Sequence, residues 1–310
     1  MKHNYRNNKN KAKNIKTTRT MILFIIIVAF VVGGSSLMAV KFSKDKQAVQ
    51  ALEVNKEVSS ESSGEDNKNQ SNSDLSFLEN DPAADDIAFV EKYLNQQMKG
   101  QMPDGADGKK VAYLTFDDGP SETVTPLILD TLKAENVHAT FFVVGKAVDE
   151  SKITKDLIKR EVKEGNAIGN HTYSHNYNYL YPNKTVNVDN FMADVDKTNK
   201  SLKNVLGEDF STRAIRFPGG HMTWKGMDAM DAIMKEKDYH QVDWNALSRD
   251  AEGAPKKAEQ LKQQIIKTIT GRQKAVILMH DTYGKEETAK ALPEIIKYLK
   301  EQGYEFRTMK

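Results

Sequence analysis

The 310-residue chain contains no cysteine. That absence excludes disulfides, a thiol nucleophile, a lipidated Cys and Cys-ligated zinc or iron–sulfur centres, so any metal must be held by His and carboxylate. Acidic residues are absent from the first forty positions, which carry seven basic ones. Residues 41–105 reverse the balance, with seven basic against thirteen acidic, and residues 106–310 are nearly even at 31 and 30. The net charge of +2 thus conceals three unlike zones. Because the basic excess sits in one short terminal segment rather than across a domain, a nucleic-acid partner is not expected.

Long apolar runs are also scarce, apart from the uncharged stretch 21–40, densest in Ile, Val and Phe over 22–32. Its length just spans a bilayer as a helix. Basic residues precede it and an acidic segment follows, which puts residues 1–20 in the cytoplasm and residues 41–310 outside. A cleavable signal peptide is the alternative, but Leu37-Met38-Ala39 matches a small-x-small cleavage site poorly. The expectation is a single-pass signal anchor over 21–40 that holds the rest of the chain on the wall side of the cell membrane. Residues 41–105 read as an extracytoplasmic linker: 41–82 are rich in Ser, Asn, Lys and Glu and bury too little to order themselves, and a short helix is expected near 85–99.

From Lys109 onward, short apolar runs alternate with helical segments. The runs are 111–116, 139–144, 167–170, 214–217, 239–242, 275–279 and 304–308, with helices expected near 123–136, 151–164, 188–206, 225–236, 256–270 and 286–301. Strict alternation implies a parallel sheet covered by helices in one domain over 106–310. Either a doubly wound sheet or a closed barrel satisfies this pattern.

Polar clusters follow five of these runs: Asp117-Asp118-Gly119-Pro120, His171-Thr172-Tyr173-Ser174-His175, Arg216-Phe217-Pro218-Gly219-Gly220, Asp243-Trp244 and His280-Asp281. Catalytic loops gather at the C-terminal ends of parallel strands, so five clusters in register argue for one site. Adjacent residues in an extended strand end point to opposite sides, which lets one of Asp117 and Asp118 bind a metal while the other faces substrate. His171 and His175, at i and i+4, can reach one metal if the backbone is helical or tightly turned. With one Asp they make a two-His-one-carboxylate set that suits zinc or another divalent first-row ion. Gly219 permits close approach of a backbone N–H to an oxyanion, and Asp243 offers a partner that could keep His280 proton-donating. Tyr173, Tyr177, Tyr179 and Tyr181 crowd the loop after the His cluster and could stack on sugar rings or simply pack there.

In this order, the five clusters resemble the polysaccharide deacetylases of carbohydrate esterase family 4, which share the NodB homology domain. Thr115-Phe116-Asp117-Asp118-Gly119-Pro120 is similar to the family's first motif, the His171–His175 cluster to its second, and Asp243-Trp244 and Leu278-Met279-His280 to its fourth and fifth. The resemblance implies a distorted (β/α)7 barrel and assigns roles: Asp117 the general base, Asp118, His171 and His175 the metal ligands, and His280 the general acid. It further implies that Arg216 orients the base, that Asp243 pairs with the acid, and that Trp244 and Leu278 line a pocket for the acetyl methyl group. The third motif departs from the common Arg-Pro-Pro-Tyr form, with Phe217 for a proline and Gly219 where an aromatic residue is often found. His221 has no role in this scheme.

The resemblance implies metal-dependent N-deacetylation of N-acetylglucosamine or N-acetylmuramic acid in cell-wall peptidoglycan, with another extracellular polysaccharide as the alternative substrate, zinc, cobalt or another first-row ion as the metal and a monomeric catalytic domain. A non-haem iron oxygenase shares the ligand set but has no use for Asp117, Arg216 and an Asp243/His280 pair. A wall-binding protein with a lapsed site predicts a missing catalytic residue, and none is missing.

Overall fold

A computed structural model describes residues 82–310. The basic segment, the 21–40 anchor and residues 41–81 lie outside the described residues; among those described, no helix is long and apolar enough to cross a membrane. The strands are β1 (Ala84–Asp85), β2 (Val111–Asp117), β3 (Thr140–Val143), β4 (Ala167–Asn170), β5 (Ala214–Ile215), β6 (His240–Gln241), β7 (Ala246–Leu247), β8 (Lys274–His280), β9 (Glu305–Phe306) and β10 (Thr308–Met309).

The period-two alternation of side chains separates wall from interior. Along β2, Ala112, Leu114 and Phe116 join the main apolar cluster, which also takes in Ile128, Leu129, Leu261, Leu292 and Ile296 from the covering helices. Val111 and Tyr113 belong to a different cluster with Phe142 and Val276. Thr115 and Asp117 continue that inner row toward the C-terminal end of the strand, so the interior turns from apolar to polar along its length. On β8 the inner row is Val276, Leu278 and His280 by the same alternation.

The sheet runs β6-β5-β4-β3-β2-β8-β7, and every pair is parallel. β6 and β7 are two ends of one passage, the first bonded to β5 and the second to β8. β9 pairs with the start of β2, while β3 pairs with its end. The result is a parallel α/β half-barrel that fits the expected (β/α)7 architecture. Its helices, Thr125–Glu135, Lys152–Lys163, Val188–Leu206, Met227–Glu236, Ala258–Ile269 and Glu286–Glu301, fall within two residues of their expected bounds. Local chemistry explains such bounds: Ser151 and Thr154 form a reciprocal capping box at one start, and Asn187 caps the next long helix, which stops at Gly207 with φ 109°.

The expected domain boundary at 106 is corrected by the structure. Helix Ile87–Met98 is part of the folded body: Ile87, Val90 and Leu94 are buried in the cluster that contains Tyr113, Phe142 and Val276. β1 pairs in parallel with β10, and Tyr113 donates its hydroxyl hydrogen to Asp85. A strand of two residues and a partner at the other end of the chain leave no periodic signal, which is why 83–105 read as linker. Burying each of the three aliphatic side chains contributes about 1.5–3 kcal/mol. At about 2–4 °C per kcal/mol, a chain beginning at residue 106 is expected to melt on the order of 10–30 °C below one beginning at 82. Calorimetry of the two chains checks this, and equal melting temperatures would show that the helix is dispensable.

Candidate active site

Strand register sets the two ends of the site. Seven consecutive β2–β8 partners run from Val111↔Lys274 to Asp117↔His280, so the two residues stand side by side at the strand ends. Beyond Asp117 the chain does not stay extended: Asp118 has φ 72°. This left-handed turn, rather than strand alternation, separates the two carboxylates.

Asp117 is buried, and its Oδ1 accepts a hydrogen bond from Arg216 Nη1 at 2.8 Å. Arg216 is fully buried and well satisfied, donating also to Thr115 Oγ1 (2.7 Å), to the Val242 carbonyl (2.8 Å) and to the Asp243 carbonyl (3.3 Å). Its guanidinium lies 4.1 Å from the centre of the Phe142 ring. Such complete pairing is what a buried ion pair requires. The same residue also fixes a histidine: its carbonyl lies 2.7 Å from His171 Nδ1. A carbonyl only accepts, so Nδ1 carries a hydrogen and Nε2 is the nitrogen left for the site.

The His171–His175 segment is not helical. Thr172 and His175 both take positive φ (65° and 49°), and the turn is held by Asn170 Oδ1 accepting from Thr172 N and by Asp194 accepting from Ser174 N and Oγ. This brings His171 Nε2 and His175 Nε2 to 3.3 and 3.1 Å from Asp118 Oδ1. One ligand atom from each of the three residues lies within 4.8 Å of the others. Asp118 Oδ1 is nevertheless buried without a properly directed hydrogen bond. Three ligand atoms this close, with Asp118 Oδ1 left without a hydrogen bond, fit a divalent metal. Burial together with the charge of His171 holds His175 down at about 4, so it is the neutral ligand that a metal needs. Burial opposes charge on Asp118, but His171, with His175 and His280, holds its carboxyl below the usual range.

Across the cavity, His280 Nδ1 lies 2.7 Å from Asp250 Oδ1, and His280 N donates to Asp250 Oδ2 at 2.9 Å. Asp250 Oδ2 also accepts from Thr288 Oγ1. Burial disfavours the imidazolium, yet Asp250, reinforced by Asp117 and Asp118, raises His280 to about 9. Its Nε2 faces the site, 3.9 Å from Asp118 Oδ2. The expected Asp243–His280 pair is therefore incorrect. The Asp243 carboxylate accepts from His221 N (3.0 Å), and the partner of His280 is seven residues further along. Asp250 sits in the loop after β7, and its position depends on β7 pairing with β8, which no local pattern announces.

These residues line a cavity of about 300 Å³, together with Tyr177, Gly219, Trp244, Arg249 and Leu278. The three residues expected at the substrate, Trp244, Leu278 and Gly219, are thus among its lining, and the Gly219 N–H makes no hydrogen bond among the described residues. Of the four loop tyrosines only Tyr177 lines the cavity; Tyr181 is buried and stacked on Trp224 at 3.9 Å, and Tyr173 packs beneath Lys197. His221 pairs with Asp231 outside the cavity.

Asp281 was also not anticipated as more than the neighbour of His280. Its buried carboxyl accepts from Thr125 Oγ1 at 2.6 Å and packs against the Cα of Gly119, where a Cβ would collide with it. Burial raises it to about 7. Gly119→Ala is accordingly expected to cost about 1–3 kcal/mol of stability through overpacking. Denaturant unfolding checks this, and an unchanged midpoint would show that the Asp281 side chain yields freely.

A sequence profile described as "Polysaccharide deacetylase" matches residues 104–242. The chain is 35% identical over 218 residues to a peptidoglycan-N-acetylglucosamine deacetylase of Bacillus cereus, covering 68% of this chain and 74% of that protein. The chain belongs to the polysaccharide deacetylase family. A carbohydrate esterase family 4 esterase of Streptococcus mutans superposes on the deacetylase with a TM-score of 0.66 at 35% identity, covering 74% of this chain and 92% of the other. The catalytic domain of a peptidoglycan N-acetylglucosamine deacetylase from Eubacterium rectale does so with a TM-score of 0.57 at 32% identity, covering 66% and 90%. The protein is a hydrolytic deacetylase, and its profile match ends before Asp250 and His280, the pair that only the structure joins.

Proposed function

We propose that this deacetylase removes the acetyl group from N-acetylglucosamine residues of peptidoglycan, releasing acetate and leaving a free amine on the glycan. The observation that carries this reading is the pairing across one cavity of a carboxylate, Asp117, with a carboxylate-backed imidazole, His280, beside the Asp118–His171–His175 cluster. The choice of sugar follows the relatives named above.

Asp118, His171 and His175 would hold the metal, zinc in our reading, and when bound it supplies Lewis acidity toward the acetyl carbonyl and lowers the pKa of water. Arg216 occupies Asp117 Oδ1 and leaves Oδ2 to take a proton from water as the water oxygen bonds to the acetyl carbon. The carbonyl electron pair moves onto oxygen, where the Gly219 N–H can stabilise the developing charge. His280 Nε2–H protonates the sugar nitrogen as the C–N bond breaks, and the carbonyl re-forms in acetate. Trp244 and Leu278 supply apolar surface for the acetyl methyl group.

The full chain with zinc is expected to release acetate from peptidoglycan, and mass spectrometry of the muropeptides should place the lost acetyl on N-acetylglucosamine. A chelator should abolish turnover, with zinc or cobalt restoring it. A folded, metal-loaded chain that releases no acetate would refute the reading. The charge pattern of residues 1–40 supports a single-pass anchor that keeps a monomeric catalytic domain against the wall. Fractionation of cells producing the chain should recover it intact in membranes.

A further inference from the structure

Residue 219 has little room for a side chain. Its φ of +79° belongs to the left-handed region, and a Cβ there would lie 3.1 Å from Trp224 Cζ2 and 3.2 Å from the Tyr177 hydroxyl oxygen. The space is filled from a different loop. Tyr177 is held edge-on to Trp224, with ring centres 5.3 Å apart, and its ring centre is 5.4 Å from that of the ligand His175. This places its hydroxyl on the metal-ligand side of the cavity, against Gly219.

Neither donor has a protein acceptor. Among the described residues the Gly219 N–H makes no hydrogen bond, and neither does the Tyr177 hydroxyl. Both residues line the cavity, so both donors are free to meet an acceptor that arrives with the substrate. In an acetamide the acceptor is the carbonyl oxygen.

We propose that Tyr177 is a catalytic residue, its hydroxyl acting with the Gly219 N–H as the donor pair for the acetyl oxygen. This rests on the deacetylase reading of the site. As water adds to the acetyl carbon, the C=O electron pair moves onto oxygen, which accepts from both donors. When the C–N bond breaks and His280 protonates the amine, the pair returns to re-form the carbonyl. The phenolic proton stays on Tyr177 throughout, and no co-reactant is required.

Tyr177→Phe keeps the ring and its contacts with Trp224 and His175 while removing only the hydroxyl. In the full chain acting on N-acetylglucosamine oligomers, kcat is expected to fall about 10- to 100-fold with KM within about twofold of wild type. The figure lies below that for a sealed oxyanion donor because Tyr177 is 44% exposed. Binding of a phosphonate analogue of the tetrahedral acetyl centre should weaken by the same factor, while binding of the deacetylated oligomer stays unchanged. A kcat within twofold of wild type, or a loss expressed in KM alone, overturns the proposal. If wild type itself releases no acetate, the deacetylase reading falls and this inference with it; if wild type is active and Tyr177→Phe equals it, only the inference falls.

Discussion

Asp117→Asn reduces acetate release by about 10²–10⁴-fold, the range for loss of a positioned general base, while the metal content of the protein stays at the wild-type level. The second half of this expected result is the discriminating one. Asp117 faces Arg216 at 2.8 Å and stands 3.8 Å from His171 Nε2, whereas Asp118 Oδ1 sits within 3.3 Å of both imidazoles. The asymmetry supports our proposal that Asp118 holds the metal and Asp117 takes the proton. Because Asn retains an acceptor for Arg216 but not a charge, stability should fall too, by no more than the about 3–5 kcal/mol for a broken buried pair. Elemental analysis and kinetics on the folded variant check both parts. Loss of metal in parallel with loss of activity would make Asp117 a ligand and overturn the assignment.

Asp250→Asn is expected to cost a similar factor, about 10²–10⁴ in kcat, by analogy with removing the carboxylate that orients a catalytic imidazole. Asp250 binds both the Nδ1 and the backbone N of His280, so it orients and charges the imidazole that we propose as the proton donor. The direction of the pH effect follows. Folding raises His280 to about 9, so the donor is protonated below that pH and lost as pH rises through it. Without the Asp250 charge the alkaline limb of the rate profile moves to lower pH. Asp243→Asn, in contrast, should change kcat by less than about tenfold, since it removes charge from a carboxylate that binds the His221 amide and never reaches His280. If Asp243→Asn proved the more damaging of the two, the acid would be oriented by a route that the structure does not contain.

The contrast between those two aspartates shows where local pattern runs out. Asp117, Asp118, His171, Arg216 and His280 were legible because each lies at the end of an apolar run or just beyond it, and parallel strands deliver such ends to one face. Asp243 satisfied the same rule and was misassigned for that reason. The passage carrying it switches partners from β5 to β8 within a few residues, and the switch carries Asp250 to the imidazole. Helix Ile87–Met98 was recognised as a helix, but its burial against Tyr113 and Phe142 spans the whole domain in sequence and has no periodicity of its own. Tyr177 was one of four tyrosines with equal claims until Gly219, more than forty residues away, left a space that only one of them fills.

Composition and order of residues were sufficient for the class of chemistry, because a chain without cysteine can hold a first-row metal only through His and carboxylate, and the alternation of strands and helices places those residues on one rim. They were sufficient for the helices as well, since periodicity and caps are local. Which carboxylate serves which imidazole, which tyrosine enters the cavity and where the domain begins were settled by tertiary packing. Those choices depend on strand register and on contacts between distant segments, and the free energy that selects them exists only once the half-barrel has formed.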